Sequence, residues 1–180
     1  DLLQLLVLAV DEEDPRARTK LTPREVRDQL VTLFLAGHET TSQALTWAFA
    51  CLAKTPDVEA KLHRELASSP SSTVSDVLEG HPYTEQVVSE AMRLYPPVYA
   101  MARRAIEDTV IGGYHVPRGS EVMLWVYMTH RDPRFFPDPE RFDPERFSKE
   151  NAASIPKFAY LPFGGGPRAC IGRAFAMMEA

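Results

Sequence analysis

The chain of 180 residues has few cysteines, Cys51 and Cys170, and no apolar run long enough to cross a bilayer. Two cysteines so far apart exclude a disulfide framework and a zinc site, and they favour a reducing compartment. The net charge is −5, and no basic stretch is interleaved with aromatics, which excludes a generic nucleic-acid binder. The sequence therefore predicts a soluble, cytoplasmic protein. Nothing in this segment indicates a membrane, and the alternative of a membrane anchor would need sequence outside it.

What is present is an ordinary globular composition, 44% hydrophobic and 25% charged. The first residue is not methionine, and residues 1–10 resemble the end of an amphipathic helix already under way. The last residues stop inside another helix-compatible run, residues 173–179. We therefore expect a piece of a longer protein.

Helical signals dominate the first half of the chain. Thr22-Pro-Arg-Glu25 combines a capping box with proline at the first helical position. Apolar residues then recur with a helical period to Lys54, which predicts a helix of roughly 32 residues that is apolar nearly all round and buried. Further helices are predicted over residues 55–67 and 82–94, with a polar loop over residues 68–75.

Short strands and a long coil are predicted for the second half. Residues 98–102 are predicted to be extended, and residues 109–116 to form two strands about a Gly-Gly turn. Residues 120–124 follow as a further strand that runs back after a second turn. Residues 131–167 contain seven of the fifteen prolines and predict an ordered coil. The aromatic side chains of this coil that need burial are Phe135, Phe136, Phe142, Phe147, Phe158, Tyr160 and Phe163. The predicted fold class is mainly α with small β-sheets (α+β).

Glu90 and Arg93 form the first candidate constellation, because residues three apart share a helix face and can pair. A lone Glu-x-x-Arg is more often a solvated surface pair of little energetic consequence. This pair lies in an apolar helix, and the coil supplies a third partner, Arg141 or Arg146. A buried glutamate with two arginines must be fully bonded, and its usual role is to fix geometry.

The second constellation is Ala36-Gly-His-Glu-Thr-Thr41, in the middle of the long helix. Its small residues let a ligand lie against the helix, the Thr40 hydroxyl can bond to the Ala36 carbonyl, and Glu39 can relay protons. Standing alone, the motif would more often contain just a back-bonded core threonine. His38 is more consistent with a structural residue, because nothing nearby completes a metal set.

The third constellation is Phe163-Gly-Gly-Gly-Pro-Arg-Ala-Cys-Ile-Gly172. Its glycines let the backbone approach a flat group closely, and the nearby Arg168 and Arg173 favour a thiolate at Cys170. A thiolate held in this way can be one axial ligand of haem iron. The alternatives are an inert buried thiol or a simple glycine turn, and the inert interpretation is the one we give Cys51.

Together these motifs resemble the cytochrome P450 family of haem-thiolate monooxygenases. Phe163-x-x-Gly166-x-Arg168-x-Cys170-x-Gly172 matches the family's haem-binding signature, and Ala36-Gly37-x-Glu39-Thr40 matches its oxygen-activation motif. Glu90-x-x-Arg93 matches its helix pair. Phe142-x-Pro144-Glu145-Arg146-Phe147 matches the segment that supplies a third triad member, which favours Arg146 over Arg141. Residues 1–180 are then expected to be part of a single domain, without its N-terminal half and extreme C-terminus.

The resemblance also implies roles for individual residues. Cys170 is implied as the axial ligand of the haem iron, and Glu39 and Thr40 as the catalytic pair. The cofactor-binding residues are implied to be Phe163, Gly166, Arg168, Gly172, Gly37 and Arg103, with Arg104 as the rival of Arg103. Substrate contacts are implied for Val98, Tyr99, Ala100 and Met101, and a structural triad for Glu90, Arg93 and Arg146.

The implied activity is insertion of one oxygen atom from dioxygen into a hydrophobic small molecule, by hydroxylation or epoxidation. The implied cofactor is haem b, with electrons ultimately from NAD(P)H through a ferredoxin, flavodoxin or reductase-type partner. Residues 131–180 carry net charge +1 against −6 for the rest of the chain, which favours an acidic partner on the cysteine side. The alternatives are a non-catalytic haem-binding fragment and a haem-thiolate sensor or carrier. The chain alone is expected to be inactive.

Overall fold

The structure, a computed structural model, describes residues 2–8, 20–68 and 80–180. Within these ranges the α-helices are α1 (Leu2–Leu8), α2 (Pro23–Leu52), α3 (Pro56–Ser68), α4 (Pro82–Leu94), α5 (Val126–Thr129), α6 (Lys149–Ala152) and α7 (Arg173–Glu179). The strands are β1 (Met101–Arg104), β2 (Thr109–Ile111), β3 (Tyr114–Val116) and β4 (Glu121–Leu124). The predicted mainly α class with small sheets is confirmed. Of the predicted polar loop, residues 69–75 lie outside the described residues.

Helix α2 begins at the predicted capping box. The Thr22 amide and hydroxyl donate to Glu25 Oε2 at 2.8 and 2.7 Å, and the Glu25 amide donates back to the Thr22 hydroxyl at 3.3 Å. The helix ends at Leu52, two residues before the predicted end. In this chain Val31, Phe34, Leu35, Trp47 and Phe49 are exposed, so the burial predicted for the apolar surface of this helix stays a prediction for the longer protein. None of the described helices combines the length and apolar character that a membrane span requires.

The chain divides into two compact units, residues 1–40 and 41–180, and α2 runs from the first into the second. The core of the second unit forms where α2 packs on α4. Its buried members are Ala48, Cys51, Leu52, Tyr83, Val87, Ala91, Leu94 and Phe142. Helix α4 has the predicted bounds, and a carboxylate from α3 fixes its start: Glu65 accepts hydrogen bonds from the amides of Tyr83 at 2.7 Å and Thr84 at 2.8 Å.

The four strands form two separate antiparallel pairs. Strands β2 and β3 form the predicted hairpin, and both turn residues, Gly112 and Gly113, have the positive φ that favours glycine. Strand β1 pairs with β4, from Met101 opposite Leu124 to Arg104 opposite Glu121. The extended segment predicted at residues 98–102 thus becomes a strand only at Met101 and continues to Arg104.

The coil from Arg131 to Pro167 belongs to the second unit and contains the 3-10 turn Pro144–Phe147 and helix α6. Phe136 and Phe142 are buried as predicted. Phe158 is 56% exposed, so its predicted burial was wrong. Its backbone has φ +70°. A Cβ added to Gly165 would lie 3.1 Å from the Phe158 ring. The Phe158 ring therefore packs on the backbone of the cysteine segment instead of entering the core.

Candidate functional site

Glu90 and Arg93 are buried side by side on α4, with neither side chain exposed. Arg93 donates to both carboxylate oxygens, through Nε at 2.7 Å and Nη2 at 2.9 Å. Its other contacts are main-chain carbonyls of the coil region, His130 at 2.8 Å and Arg141 at 3.2 Å. The Asp143 amide donates to Glu90 Oε1 at 2.9 Å. The pair thus bonds α4 to three points of the following chain.

Arg146 is the side chain that the structure brings to this pair as a third member. Its Nε lies 3.4 Å from Glu90 Oε1, and its Nη2 donates to the Asp138 carbonyl at 2.8 Å. Arg141 contributes its carbonyl instead, and the residue is exposed. Burial raises the pKa of the Glu90 carboxyl. The hydrogen bonds and charge of Arg93, the hydrogen bond from the Asp143 amide and the charge of Arg146 oppose that shift.

Two groups beside the triad belong to no candidate site of the sequence analysis, although Tyr160 was expected to be buried and is half-buried here. His130 follows α5, has no exposed surface, and contacts Arg93 through both its ring and its carbonyl. Tyr160 donates its hydroxyl to the Ser89 carbonyl on α4 at 2.9 Å, and burial raises the pKa of its phenol. Their sequence signal is weak, because a single histidine or tyrosine in an aperiodic coil belongs to no motif.

The cysteine segment, residues 163–172, is a compact turn. The Cys170 amide donates to the Phe163 carbonyl at 2.9 Å, and this bond closes the turn. Gly164 and Gly166 both have φ +69°, a conformation that side chains disfavour. The Phe163 side chain packs against Ala44, Val88 and Met92 in the second buried cluster. One end of the segment is therefore anchored in the core, while Cys170 itself is exposed.

The predicted haem-contacting arginines lie on the surface. Arg103, on β1, donates to the neighbouring Ala102 carbonyl at 2.8 Å, whereas Arg104 pairs with Glu121 at 3.2 Å. Arg168 ends the 3-10 turn Gly166–Arg168 and is exposed. Gly172 is the N-cap of α7, and a Cβ there would lie 3.8 Å from Cys170 Sγ.

The predicted substrate stretch leads into β1. Val98 and Tyr99 are exposed, and Ala100 and Met101 are half-buried. The Tyr99 ring stacks near Trp125 with centroids 6.5 Å apart, and its carbonyl accepts the Tyr127 amide at 3.0 Å. The Met101 sulfur lies 3.5 Å from where a Cβ on Gly164 would be, so β1 borders the cysteine segment.

Glu39 and Thr40 are the last residues of the first unit and lie within α2. The Thr40 hydroxyl donates to the Ala36 carbonyl at 2.6 Å, which is the predicted back-bond. Thr32 and Thr46 make the same bond, to Asp28 and Ser42. Nothing among the described residues lies within 4 Å of the place of a Cβ on Gly37.

A family model for cytochrome P450 matches residues 1–180, the whole chain. The chain belongs to the cytochrome P450 family. Cyclooctatin synthase of Streptomyces melanosporofaciens is 42% identical over 190 residues, and cytochrome P450 4V2 of Homo sapiens is 41% identical over 182 residues. The solved structure of retinoic acid bound cyanobacterial CYP120A1 matches 99% of the chain with a TM-score of 0.91 and 38% identity.

The cytochrome P450 relatives are much longer than this chain. It covers 39% of cyclooctatin synthase, 34% of human cytochrome P450 4V2, and 41% of the chain of the solved structure. Conversely, these matches cover 98 to 100% of the present chain. The chain therefore corresponds to a part of a cytochrome P450.

The cytochrome P450 family implies haem, and the donor set of this chain fits that group. Across the described ranges, no three histidine, cysteine or acidic side chains come together in a way that could hold a metal ion. Cys170 presents an exposed thiol on a turn built from glycines. A single thiolate suits iron whose equatorial ligands come from a porphyrin, because the protein then needs to supply one axial ligand.

Proposed function

We propose that the chain is the cysteine-containing part of a single-domain haem-thiolate monooxygenase whose other parts lie in a longer protein. Membership of the family and the 34 to 39% coverage of its relatives support this proposal. On this proposal the isolated chain is inactive, because the exposed apolar side chains of α2 need the rest of the domain to cover them.

The exposed thiol of Cys170 is the observation that carries the proposal. Cys170 would hold the iron of haem b through its thiolate, and the bound haem would supply the chemistry that activates dioxygen. The protein holds the sulfur in place through the bond from the Cys170 amide to the Phe163 carbonyl. Gly172 keeps bulk away from the sulfur, because a Cβ there would lie 3.8 Å from it. Gly166 supplies the positive φ that the turn needs, and Gly37 leaves its own side of α2 without a side chain.

Arg103 and Arg168 hold the haem propionates, because guanidinium groups bind carboxylates through paired hydrogen bonds. Arg104 is the weaker candidate, since its guanidinium already pairs with Glu121 at 3.2 Å. The triad of Glu90, Arg93 and Arg146 braces the coil behind the cysteine segment, and none of its members contacts the substrate.

The substrate of the longer protein is a hydrophobic small molecule. It contacts the stretch Val98, Tyr99, Ala100 and Met101, whose last residue borders the cysteine segment through its sulfur. An exposed aromatic and an exposed valine at the start of this stretch suit an apolar ligand. The reaction inserts one oxygen atom, as a hydroxylation or an epoxidation.

Glu39 and Thr40 deliver protons during this reaction. A carboxylate can take up and release a proton, and a hydroxyl can pass one on while it stays bonded to the Ala36 carbonyl. Gly37 lies on the same segment of α2. Because it has no side chain, a small ligand has room beside Glu39 and Thr40.

Electrons come ultimately from NAD(P)H through a ferredoxin, flavodoxin or reductase domain. The net charge of +1 over residues 131–180, against −6 over the rest, supports docking of an acidic partner on the cysteine side. Association with such a partner should slow as the salt concentration rises. Rates that stay constant with salt would contradict this docking surface.

The test of the proposed function is the substitution Cys170→Ser in the longer protein. We expect it to abolish the red-shifted band that a thiolate ligand gives to the ferrous carbon monoxide adduct. Cys51→Ala is the matched control, because Cys51 is buried between α2 and α4 and burial raises the pKa of its thiol. An unchanged spectrum in Cys170→Ser would overturn the ligand assignment.

A further inference from the structure

His130 is a buried polar residue for which the proposed function gives no role. It follows α5, and its ring has no exposed surface. The ring lies beside Tyr160 with centroids 5.2 Å apart and meets the edge of Phe136 at 6.5 Å. A histidine enclosed in this way has to satisfy both ring nitrogens inside the protein.

Both ring nitrogens of His130 contact main-chain atoms. Nε2 lies 2.8 Å from the Leu161 amide nitrogen, and Nδ1 lies 3.2 Å from the Arg93 carbonyl oxygen. An amide N–H can only donate, so Nε2 must be the unprotonated acceptor. A carbonyl can only accept, so Nδ1 must carry the proton. These partners fix a neutral ring with a defined tautomer.

The charges around His130 favour the same neutral state. Burial lowers the pKa of the imidazole from 6.5 to about 4, and the positive charges of Arg93 and Arg131 add to that shift. Glu90 is the nearby acid on α4, and its carboxylate is bonded by Arg93. Arg93 also donates to the His130 carbonyl at 2.8 Å, so each residue bonds to the main chain of the other.

The ring of His130 connects the triad to the chain that enters the cysteine segment. On one side, Nδ1 of the ring contacts the carbonyl of Arg93, whose guanidinium pairs with Glu90. On the other side, the Leu161 carbonyl accepts a hydrogen bond from the Gly164 amide at 3.1 Å. The Phe163 carbonyl, two residues after Leu161, accepts a hydrogen bond from the Cys170 amide at 2.9 Å. The ring therefore holds the first residue of a hydrogen-bonded series that ends at Cys170.

We propose that His130 is a positioning residue for the cysteine segment: its neutral ring clamps the Leu161 amide to the Arg93 carbonyl and so transmits the rigidity of the triad to Cys170. A protonated ring would oppose a second N–H to the Leu161 amide, and an apolar ring would leave that amide buried without an acceptor. The step from Leu161 to the thiolate rests on the proposed function, whereas the clamp itself does not.

Three variants of the longer protein separate the parts of this proposal. His130→Phe retains the ring and its packing but removes both hydrogen bonds. His130→Gln retains an oxygen that can accept from the Leu161 amide. His63→Phe is the control, because His63 is exposed and its Nε2 lies 3.8 Å from Glu59, one turn away on α3.

The first measurement is hydrogen exchange of the Leu161 amide in the haem-loaded protein. We expect exchange about tenfold faster in His130→Phe, because one hydrogen bond is lost, and an intermediate rate in His130→Gln. The control should match the wild type. An unchanged Leu161 rate in His130→Phe would overturn the clamp, and His130→Gln gives the same test if the phenylalanine variant does not fold.

The second measurement is the stability over time of the thiolate-type spectrum of the ferrous carbon monoxide adduct. We expect His130→Phe to lose this spectrum faster than the wild type and His130→Gln to lose it at a rate in between. Faster exchange with an unchanged spectral lifetime would overturn the positioning role. A wild type without a thiolate-type spectrum would instead refute the proposed function, and the exchange rates would still report on the clamp.

Discussion

The guanidinium of Arg93 donates hydrogen bonds to both carboxylate oxygens of Glu90, at 2.7 and 2.9 Å, and neither side chain reaches solvent. Taking two charges out of water is costly, and their attraction compensates for this cost only when the geometry is complete. Here Arg93 also donates to the carbonyls of His130 and Arg141, and Glu90 also accepts the Asp143 amide. The pair therefore serves to fix three segments of chain at one point.

Removing the charge of Glu90 should be strongly destabilising. In the longer protein, Glu90→Gln leaves the buried Arg93 without its counter-charge, and we expect a loss of about 3–5 kcal/mol in the free energy of unfolding. Urea unfolding at neutral pH measures this change. Glu121→Gln is the control, because it breaks the exposed pair with Arg104, which should be worth about 0–1 kcal/mol. Equal losses in the two variants would contradict the prediction.

Arg141 and Arg146 should differ sharply in their contribution to the free energy of unfolding. Arg146→Ala removes the ion pair with Glu90 and the bond to the Asp138 carbonyl, and we expect a loss of about 1–3 kcal/mol. Arg141→Ala should change the free energy of unfolding by less than about 0.5 kcal/mol, because the contact of Arg141 with Arg93 uses its main-chain carbonyl. Thermal or urea unfolding of the two variants decides, and a larger loss for Arg141→Ala would reverse the assignment.

Periodic segments of this chain were predictable because local rules decide them. The capping box at Thr22 and the proline pair after Leu94 set helix ends within two residues of the observed ones. The doublet of Pro-Glu-Arg-Phe repeats left Arg141 and Arg146 as rivals from the residues alone. Only the matched family segment favoured Arg146, and the structure brings that side chain to Glu90.

Contacts between distant segments were not predictable from local pattern. Nothing in residues 98–124 shows that β1 pairs with β4 while the hairpin stays separate, because register depends on what each strand packs against. The role of His130 likewise depends on Arg93 and Leu161, which lie 37 and 31 residues away in sequence. The exposure of Phe158 follows from its packing on Gly165, a backbone contact that leaves no trace in hydrophobicity.

The back-bonded threonines of α2 allow a controlled test of the proposed proton delivery. Thr40→Ala in the longer protein should uncouple reductant consumption from product formation, because the hydroxyl beside Glu39 is removed. Thr46→Ala removes an equivalent bond, to the Ser42 carbonyl, outside the motif and should leave coupling unchanged. The measurement is product formed per NAD(P)H consumed. Wild-type coupling in Thr40→Ala, or equal losses in both variants, would count against the role of Thr40.

The free energy of unfolding should fall in acid because His130 is buried in its neutral form. Because burial lowers the pKa of this imidazole from 6.5 to about 4, the unfolded chain binds a proton in that window while the folded protein does not. The contribution of His130 is therefore present above pH 6.5 and is lost as the pH falls toward about 4. The loss should be on the order of 3 kcal/mol, with a slope of at most about 1.4 kcal/mol per pH unit.

The slope difference between wild type and His130→Gln isolates this effect. Arg93, Arg131 and Tyr160 lie beside the ring, and Glu90 pairs with Arg93; all four are present in both proteins, so their own titrations largely cancel in the comparison. Urea unfolding at several pH values between 7 and 4.5 should show stability falling more steeply with acid in the wild type than in the variant. Parallel curves would mean that His130 takes up its proton in the folded protein at an ordinary pH, which its bond from the Leu161 amide opposes.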